Sequence, residues 1–380
     1  MLPKERVLAA FEHRKTDKVP TYQAGFSSKA ASYILGRPGY VGGGVQQWRE
    51  AAALWNGPDA HKEYLERCKR DARDLTLILN LDLVRFAYWR MNVKPTKKID
   101  EYTFLYGDPE KTWHVMRFDP VTELYQIADR SPRKEPTMED LEKEVEASEK
   151  SLPNYHPTEA GYGEYVEAMK EFPDRAVPGS GISVNINYRE PIWLEAIALR
   201  PDLVGRTLAA QAERGARICP VMAKLGLRFI QGGGDFASNS GPFYSPKAFH
   251  ELTLPALKKI SDACHKYGLF HMFASDGNLW PVADDLFGAS GVDCFYEIDR
   301  RAGMDLRKLR QRFPHLTLLG GINSFTLHRG TKEDVIEETL SALEIAKEHG
   351  SIVVGCSNQI VAGTPPENLW AMIETVKKNR

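Results

Sequence analysis

One histidine, several carboxylates and a set of side-chain amides stand at a recurring place in this chain, the end of an apolar run. Leu269-Phe270-His271-Met272-Phe273-Ala274 stops at Ser275-Asp276-Gly277-Asn278. Phe229-Ile230-Gln231 runs into Gly232-Gly233-Gly234-Asp235, and Cys294-Phe295-Tyr296 into Glu297-Ile298-Asp299. Leu316 to Leu319 runs into Gly320-Gly321-Ile322-Asn323, and Ile352-Val353-Val354 into Gly355-Cys356-Ser357-Asn358. Imidazole titrates near neutrality, so His271 is a candidate metal ligand or acid/base group, unless it only bonds a backbone carbonyl. Asp235 follows three glycines that let a ligand approach the backbone, and it is read as a cation ligand or catalytic carboxylate; the alternative is an Asx-turn or cap. Glu297 is a candidate ligand or base, or the ion-pair partner of Arg300 or Arg301. Asp276, Asn239, Asn323, Asn358 and Arg329, with Tyr22 and Tyr244 as aromatic walls, are candidates for holding a substrate. Arg329 with its neighbour His328 suits a carboxylate. Cys356 is either a packed thiol or a nucleophile, and no neighbouring residue argues for a lowered pKa.

Such side chains cooperate only if the runs are parallel strands ending at one mouth. From about residue 177 strand-like runs alternate with helical segments, the pattern of parallel β/α units with right-handed crossovers. Helix starts are marked at Ser245-Pro246, at Thr331 with Asp334, and at Thr364-Pro365-Pro366-Glu367. About six to eight strands favour a closed (β/α)8 barrel, an α/β TIM-type fold with its chemistry at the C-terminal strand ends. No GxGxxG follows a first strand, so a dinucleotide fold lacks specific support. The chain reads as one barrel over residues 1–380, with residues 177–380 as regular β/α units. Residues 1–176 carry the N-terminal helical additions, a glycine-rich loop at 36–44 and a β-hairpin insertion around Asp119-Pro120. Residues 3–14 form an amphipathic helix, Val19 to Tyr22 the first strand, and 46–90 helix. The loop at 36–44 is placed as a cover for the pocket, and a surface helix within 131–151 is capped at Thr137.

With 50 basic against 51 acidic residues, the chain offers no electrostatic case for nucleic acid or an anionic membrane surface. No apolar run reaches the roughly 20 residues of a transmembrane helix, and the N-terminus lacks the apolar core of a signal peptide, so a cytoplasmic location is expected. Five scattered cysteines without a CxxC pair argue against a disulfide framework.

The segments "KERVLAAFEHRKTDKVP", "GGGDFASNSGPFYSPKAFHELTLPALKKISDACHKYGLFHMFASDGNLWP", "LGGIN", "HRGTKEDV" and "GTPPENLWAMIETV" together resemble the uroporphyrinogen decarboxylase superfamily over nearly the whole chain. The resemblance implies a single (β/α)8 barrel and one of two activities, decarboxylation of uroporphyrinogen or methyl exchange with a corrinoid protein. True decarboxylases carry arginines after the first strand to hold porphyrinogen carboxylates; here Tyr22-Gln23-Ala24-Gly25-Phe26-Ser27-Ser28 has none. The zinc methyltransferases of the superfamily use a histidine, a cysteine two residues on, and a distant cysteine. His271 matches the first, Phe273 stands at the second, and Asn358 falls at the third, with Cys356 two residues away. A thiol-activating zinc site of that pattern is thus not intact; a metal site, with zinc as the expected ion, would rest on His271 completed by the oxygen donors Asp235, Glu297 and Asp276, or by Cys356 if the loop differs. The chain resembles the methyltransferase branch more than the decarboxylases.

The expected function is methyl transfer between a small O-, N- or S-methyl substrate and a corrinoid protein that carries the cobalt. Metal at His271 would act as a Lewis acid. The alternatives are decarboxylation of a porphyrinogen and a non-catalytic tetrapyrrole-binding barrel. The sequence leaves the oligomeric state open, a homodimer included.

Overall fold

The computed structural model describes residues 1–84 and 90–380. Its centre is a parallel sheet of six strands, Gly179–Ser180, Phe229–Gly233, Phe270–Ala274, Cys294–Tyr296, Thr317–Ile322 and Ile352–Cys356, paired in chain order. Two parallel single-residue bridges extend it, Thr21 to Val354 and Leu83 to Ala176. The Asp82 and Leu83 N–H groups donate to the Thr21 carbonyl at 2.9 and 3.1 Å. The two edges of the sheet thus meet through Thr21 and Leu83, and eight strand segments form the (β/α)8 barrel. The expected strand Val19 to Tyr22 is reduced to that bridge. Pro20 has no N–H to give the ladder, though its carbonyl accepts from Val354 N–H at 2.8 Å.

Register decides which side chains fill the barrel. Phe270 and Met272 share an interior cluster with Tyr22, Phe229, Cys294, Leu319 and Val353. Phe273, one residue out of step, packs on the other face with Leu257 and Ile260 of the helix Leu254–Lys266. Alternation along a strand makes this split unavoidable. The helix Pro3–Phe11 closes the N-terminal end of the barrel, with Phe11 against Phe229 and Phe270 at ring distances of 4.7 and 5.2 Å.

The additions before residue 177 form a second layer. The expected helix over 46–90 is two helices, Gly44–Asn56 and Pro58–Leu79, broken at Gly57 (φ +113°), and its residues 85–89 lie outside the described residues. The expected hairpin is half of a four-stranded antiparallel sheet, Lys97–Lys98, Thr103–Gly107, Trp113–Asp119 and Leu124–Arg130. It docks on the helix Gly44–Asn56 through Trp48 stacked on Phe118 at 4.4 Å. The glycine-rich loop is held by Asp71, which accepts from Tyr40 N–H at 2.7 Å, and it lines neither cavity at the barrel mouth. It does not cover the pocket.

Helix starts follow the side-chain caps. Thr137, Ser245 and Thr331 each accept a backbone N–H from three residues on. Thr364 does not: the last helix starts at Pro366 with Pro365 as its cap, and the Thr364 hydroxyl is buried without a partner among the described residues. Two successive prolines move the start one residue along. Among the described residues no helix is long and apolar enough to cross a membrane.

Candidate active site

The C-terminal strand ends open into a cavity of about 360 Å³, lined among others by Asn239, Asp276, Glu297, Asp299, Asn323 and Asn358. That is small for a ligand pocket, where roughly 300–1,000 Å³ is usual. Three carboxylates converge there. Asp235, Asp276 and Glu297 each offer an oxygen, and these oxygens lie within 4.8 Å of one another. Among the described residues this is the group with metal-ligating spacing.

Backbone geometry explains the convergence. Gly233 has φ +137°, and a Cβ there would lie 2.3 Å from the Ala274 carbonyl oxygen. Gly277, at φ +94°, would clash in the same way with Ala237. Only glycine lets the segments 233–238 and 274–278 lie this close. Asp276 N–H then donates to Asp235 Oδ1 at 3.2 Å. Glu297 follows its strand with φ +69°, a left-handed conformation that is uncommon for a non-glycine residue and costs on the order of 1–3 kcal/mol. The fold holds a strained backbone at the residue that completes the trio.

The electrostatics single out Asp276. Burial first, and then the charges of Asp235 and Asp299, push its carboxyl up to about 6. Asn358 Nδ2 opposes this by donating to both Asp276 oxygens at 3.1 Å. Carboxylates set this close disfavour one another's ionisation, so Asp276 takes up its proton at a higher pH than an ordinary aspartate.

Several residues singled out in the sequence lie elsewhere. His271 is fully buried on the outer face of its strand. Its Nδ1 pairs with Ser261 Oγ at 2.8 Å on the helix behind, and its Nε2 has no partner among the described residues. Burial, followed by the charge of His265, pushes the imidazole down to about 3. It does not join the carboxylates, so the expectation of a ligand or proton donor at His271 is corrected: strand alternation turns the ring away from the mouth. Cys356 is also buried outside the trio, and burial pushes its thiol up to about 12. Tyr244 bonds Thr253 Oγ1 at 3.0 Å and packs on Phe236 and Phe249, behind the mouth rather than in it.

The remaining candidates stand at or below the mouth. Asn239, Asn323 and Asn358 line the cavity, and Arg329 lines an adjoining one. Asn323 also caps the helix Ser324–Arg329 through Phe325 N–H at 2.8 Å. Tyr22 lies inside the barrel, and its buried hydroxyl has no hydrogen-bond partner among the described residues. Sequence reasoning missed Asp299 and Arg301 as site residues. The sequence offered Arg301 only as an ion-pair partner for Glu297, whereas Asp299 caps the turn Arg300–Ala302 through Arg301 N–H at 3.1 Å.

The His271 environment predicts an acid-labile core. Its folded value lies below the usual 6.5, so the neutral form is favoured by folding. That stability is complete above about 6.5 and drains as pH falls toward 3. Between pH 7 and pH 5 the loss is about 2 kcal/mol. Urea unfolding at the two pH values measures it. His271→Gln should flatten the difference, and an unchanged difference in that variant would refute the assignment.

The comparisons with known proteins agree with this architecture. The family model described as uroporphyrinogen decarboxylase (URO-D) matches residues 193–379. A uroporphyrinogen decarboxylase from Anaeromyxobacter sp. (strain Fw109-5) is 27% identical over 129 residues, 33% of this chain and 35% of that relative's length. A methyltransferase from Methanosarcina mazei superposes with a TM-score of 0.64 at 19% identity, covering 100% of this chain and 99% of its own. At that identity the likeness is one of fold.

Proposed function

Because the chain belongs to the uroporphyrinogen decarboxylase superfamily and its mouth gathers three carboxylates, we propose that it is a methyltransferase acting between a small methylated substrate and a corrinoid protein. The observation that carries this reading is the charge of the mouth. Asp276, Glu297 and Asp299 line the cavity, with Arg301 the one arginine among its described lining residues and Arg300 and Arg329 in an adjoining cavity. A porphyrinogen brings many carboxylates and needs several guanidinium groups to meet them. An O-, N- or S-methyl compound brings no such demand.

The zinc site implied by the sequence resemblance does not fit this structure. His271 faces the helix layer, position 273 is phenylalanine, and the Cys356 thiol is buried away from the trio. The trio is an all-oxygen donor set, suited to harder cations than a thiolate site selects. A corrinoid carried by the partner protein would supply the methyl acceptor. The bond between methyl and its oxygen, nitrogen or sulfur breaks, and the leaving atom keeps the electron pair. Asp276, protonated below about 6, delivers the proton to that atom. Asn358 holds the Asp276 carboxyl in place through its amide. Asn239 and Asn323 orient the substrate by hydrogen bonds.

The test is methyl transfer to free cob(I)alamin from a panel of methyl ethers, methylamines and methyl thioethers, followed by absorbance. Formation of the methylated corrinoid with one substrate class is the expected result. A second reading, decarboxylation, is favoured by the relative of that name. Carbon dioxide release from uroporphyrinogen, with no corrinoid methylation by any donor, would overturn the first reading in favour of the second.

A further inference from the structure

Beside the carboxylate cavity lies a second one of about 560 Å³, sharing Arg301, Asn323 and Phe325 with the first. Its charge is different in kind. Arg300, Arg301 and Arg329 all line it. Arg300 pairs with Glu338 at 3.5 Å, but Arg301 and Arg329 make no ion pair or side-chain hydrogen bond among the described residues. The Arg301 guanidinium lies 4.1 Å over the Phe325 ring, which is itself 45% exposed. Stacking fixes the plane of the guanidinium and leaves its N–H edge free for a bidentate acceptor. The acids in the same wall are mostly committed. Asp334 accepts from Thr331 N–H at 2.8 Å, and Glu338 from Asn323 N–H at 2.7 Å. Glu337 is the third.

We propose that the cleft between the turn Arg300–Ala302 and the helix Ser324–Arg329 is a subsite for an anionic group of the substrate, a carboxylate or a phosphate, gripped by Arg301 and Arg329. Both elements follow strand ends, so the subsite opens on the same mouth as the trio. Arg301 belongs to both cavities, so one small molecule can place its anion on the arginines and its reacting end over Asp276. The substrate class is then an anionic or zwitterionic methylated compound. That last step rests on the proposed function; the anion subsite does not.

The experiment titrates the full chain with succinate and, separately, inorganic phosphate by calorimetry, alongside Arg301→Ala, Arg329→Ala and the double variant. Both arginines are exposed, so the variants should keep the parent's circular dichroism and unfolding midpoint. Saturable binding of one anion that weakens about tenfold or more in the double variant supports the subsite. The preferred anion tells carboxylate from phosphate. Equal affinity in parent and double variant, or no saturable binding of either anion, overturns it. Asp276→Asn should leave anion binding intact, so failure of the subsite and failure of the methyl-transfer reading remain distinguishable.

Discussion

Asp276→Asn should lower turnover by about 10²–10⁴-fold while making the protein more stable at pH 7. The two effects have one cause. Folding buries the Asp276 carboxyl beside Asp235 and Asp299 and raises it to about 6 from an ordinary 3.8. A carboxyl raised on folding favours the protonated native state. Its stabilising contribution is complete below about 3.8 and is lost as pH rises through about 6. At pH 7 the native state therefore carries a charge it disfavours. The full shift corresponds to about 3 kcal/mol, and partial solvent access reduces the expected gain in the variant to on the order of 1–2 kcal/mol. Asparagine fills the same volume and still accepts one bond from Asn358, but it has no proton to give. Activity of the parent should decline on the alkaline side with an apparent midpoint near 6. Because the carboxylates are coupled, that midpoint belongs to the group rather than to one residue. Turnover measured across pH 5–8, with unfolding midpoints on the same samples, checks both effects. Retained turnover in Asp276→Asn would remove this carboxyl from the mechanism.

The second large effect concerns closure of the barrel. Asp82 is buried between the first and second strand segments, and its Oδ2 accepts from Thr21 N–H at 2.8 Å and Thr21 Oγ1 at 3.0 Å. Arg380 donates to the same oxygen at 2.6 Å, and Arg6 donates to Oδ1. One carboxylate thus ties the N-terminal helix, the last helix and the seam of the sheet together. Both guanidinium groups are largely buried, with side-chain exposures of 8% and 9%. Asp82→Ala leaves Arg380 without an ion-pair partner among the described residues, while Arg6 keeps Asp17 at 2.7 Å. Breaking a buried pair from one side costs about 3–5 kcal/mol, and the retained Asp17 pair puts the expected loss at the low end of that range. Urea unfolding should show a lower midpoint with an unchanged slope, since the surface exposed on unfolding stays the same. A loss below about 1 kcal/mol would mean that solvent reaches the pair and that the seam is held by its backbone bonds instead.

Signals carried by adjacent residues were legible in the chain. Thr137, Ser245 and Thr331 start helices because a short polar side chain can bond an N–H three residues away, whatever the rest of the protein does. Apolar runs ending in a carboxylate marked Asp235, Asp276 and Glu297 as candidates for one mouth, and the alternation of runs with helices pointed to the barrel. The direction each side chain faces was not legible. In Phe270-His271-Met272-Phe273-Ala274 both faces are apolar, as expected of a barrel strand covered by packing on each side, so the sequence cannot tell the inward set from the outward one. Register with the neighbouring strands made that choice. It put Met272 in the barrel and His271 against Ser261. The trio likewise depends on two glycines meeting across strands and on a left-handed Glu297, both products of long-range packing. The residue types at the strand ends were therefore set by the sequence alone, and tertiary structure decided which of them meet, because a strand's two faces differ only in what the rest of the fold places against them.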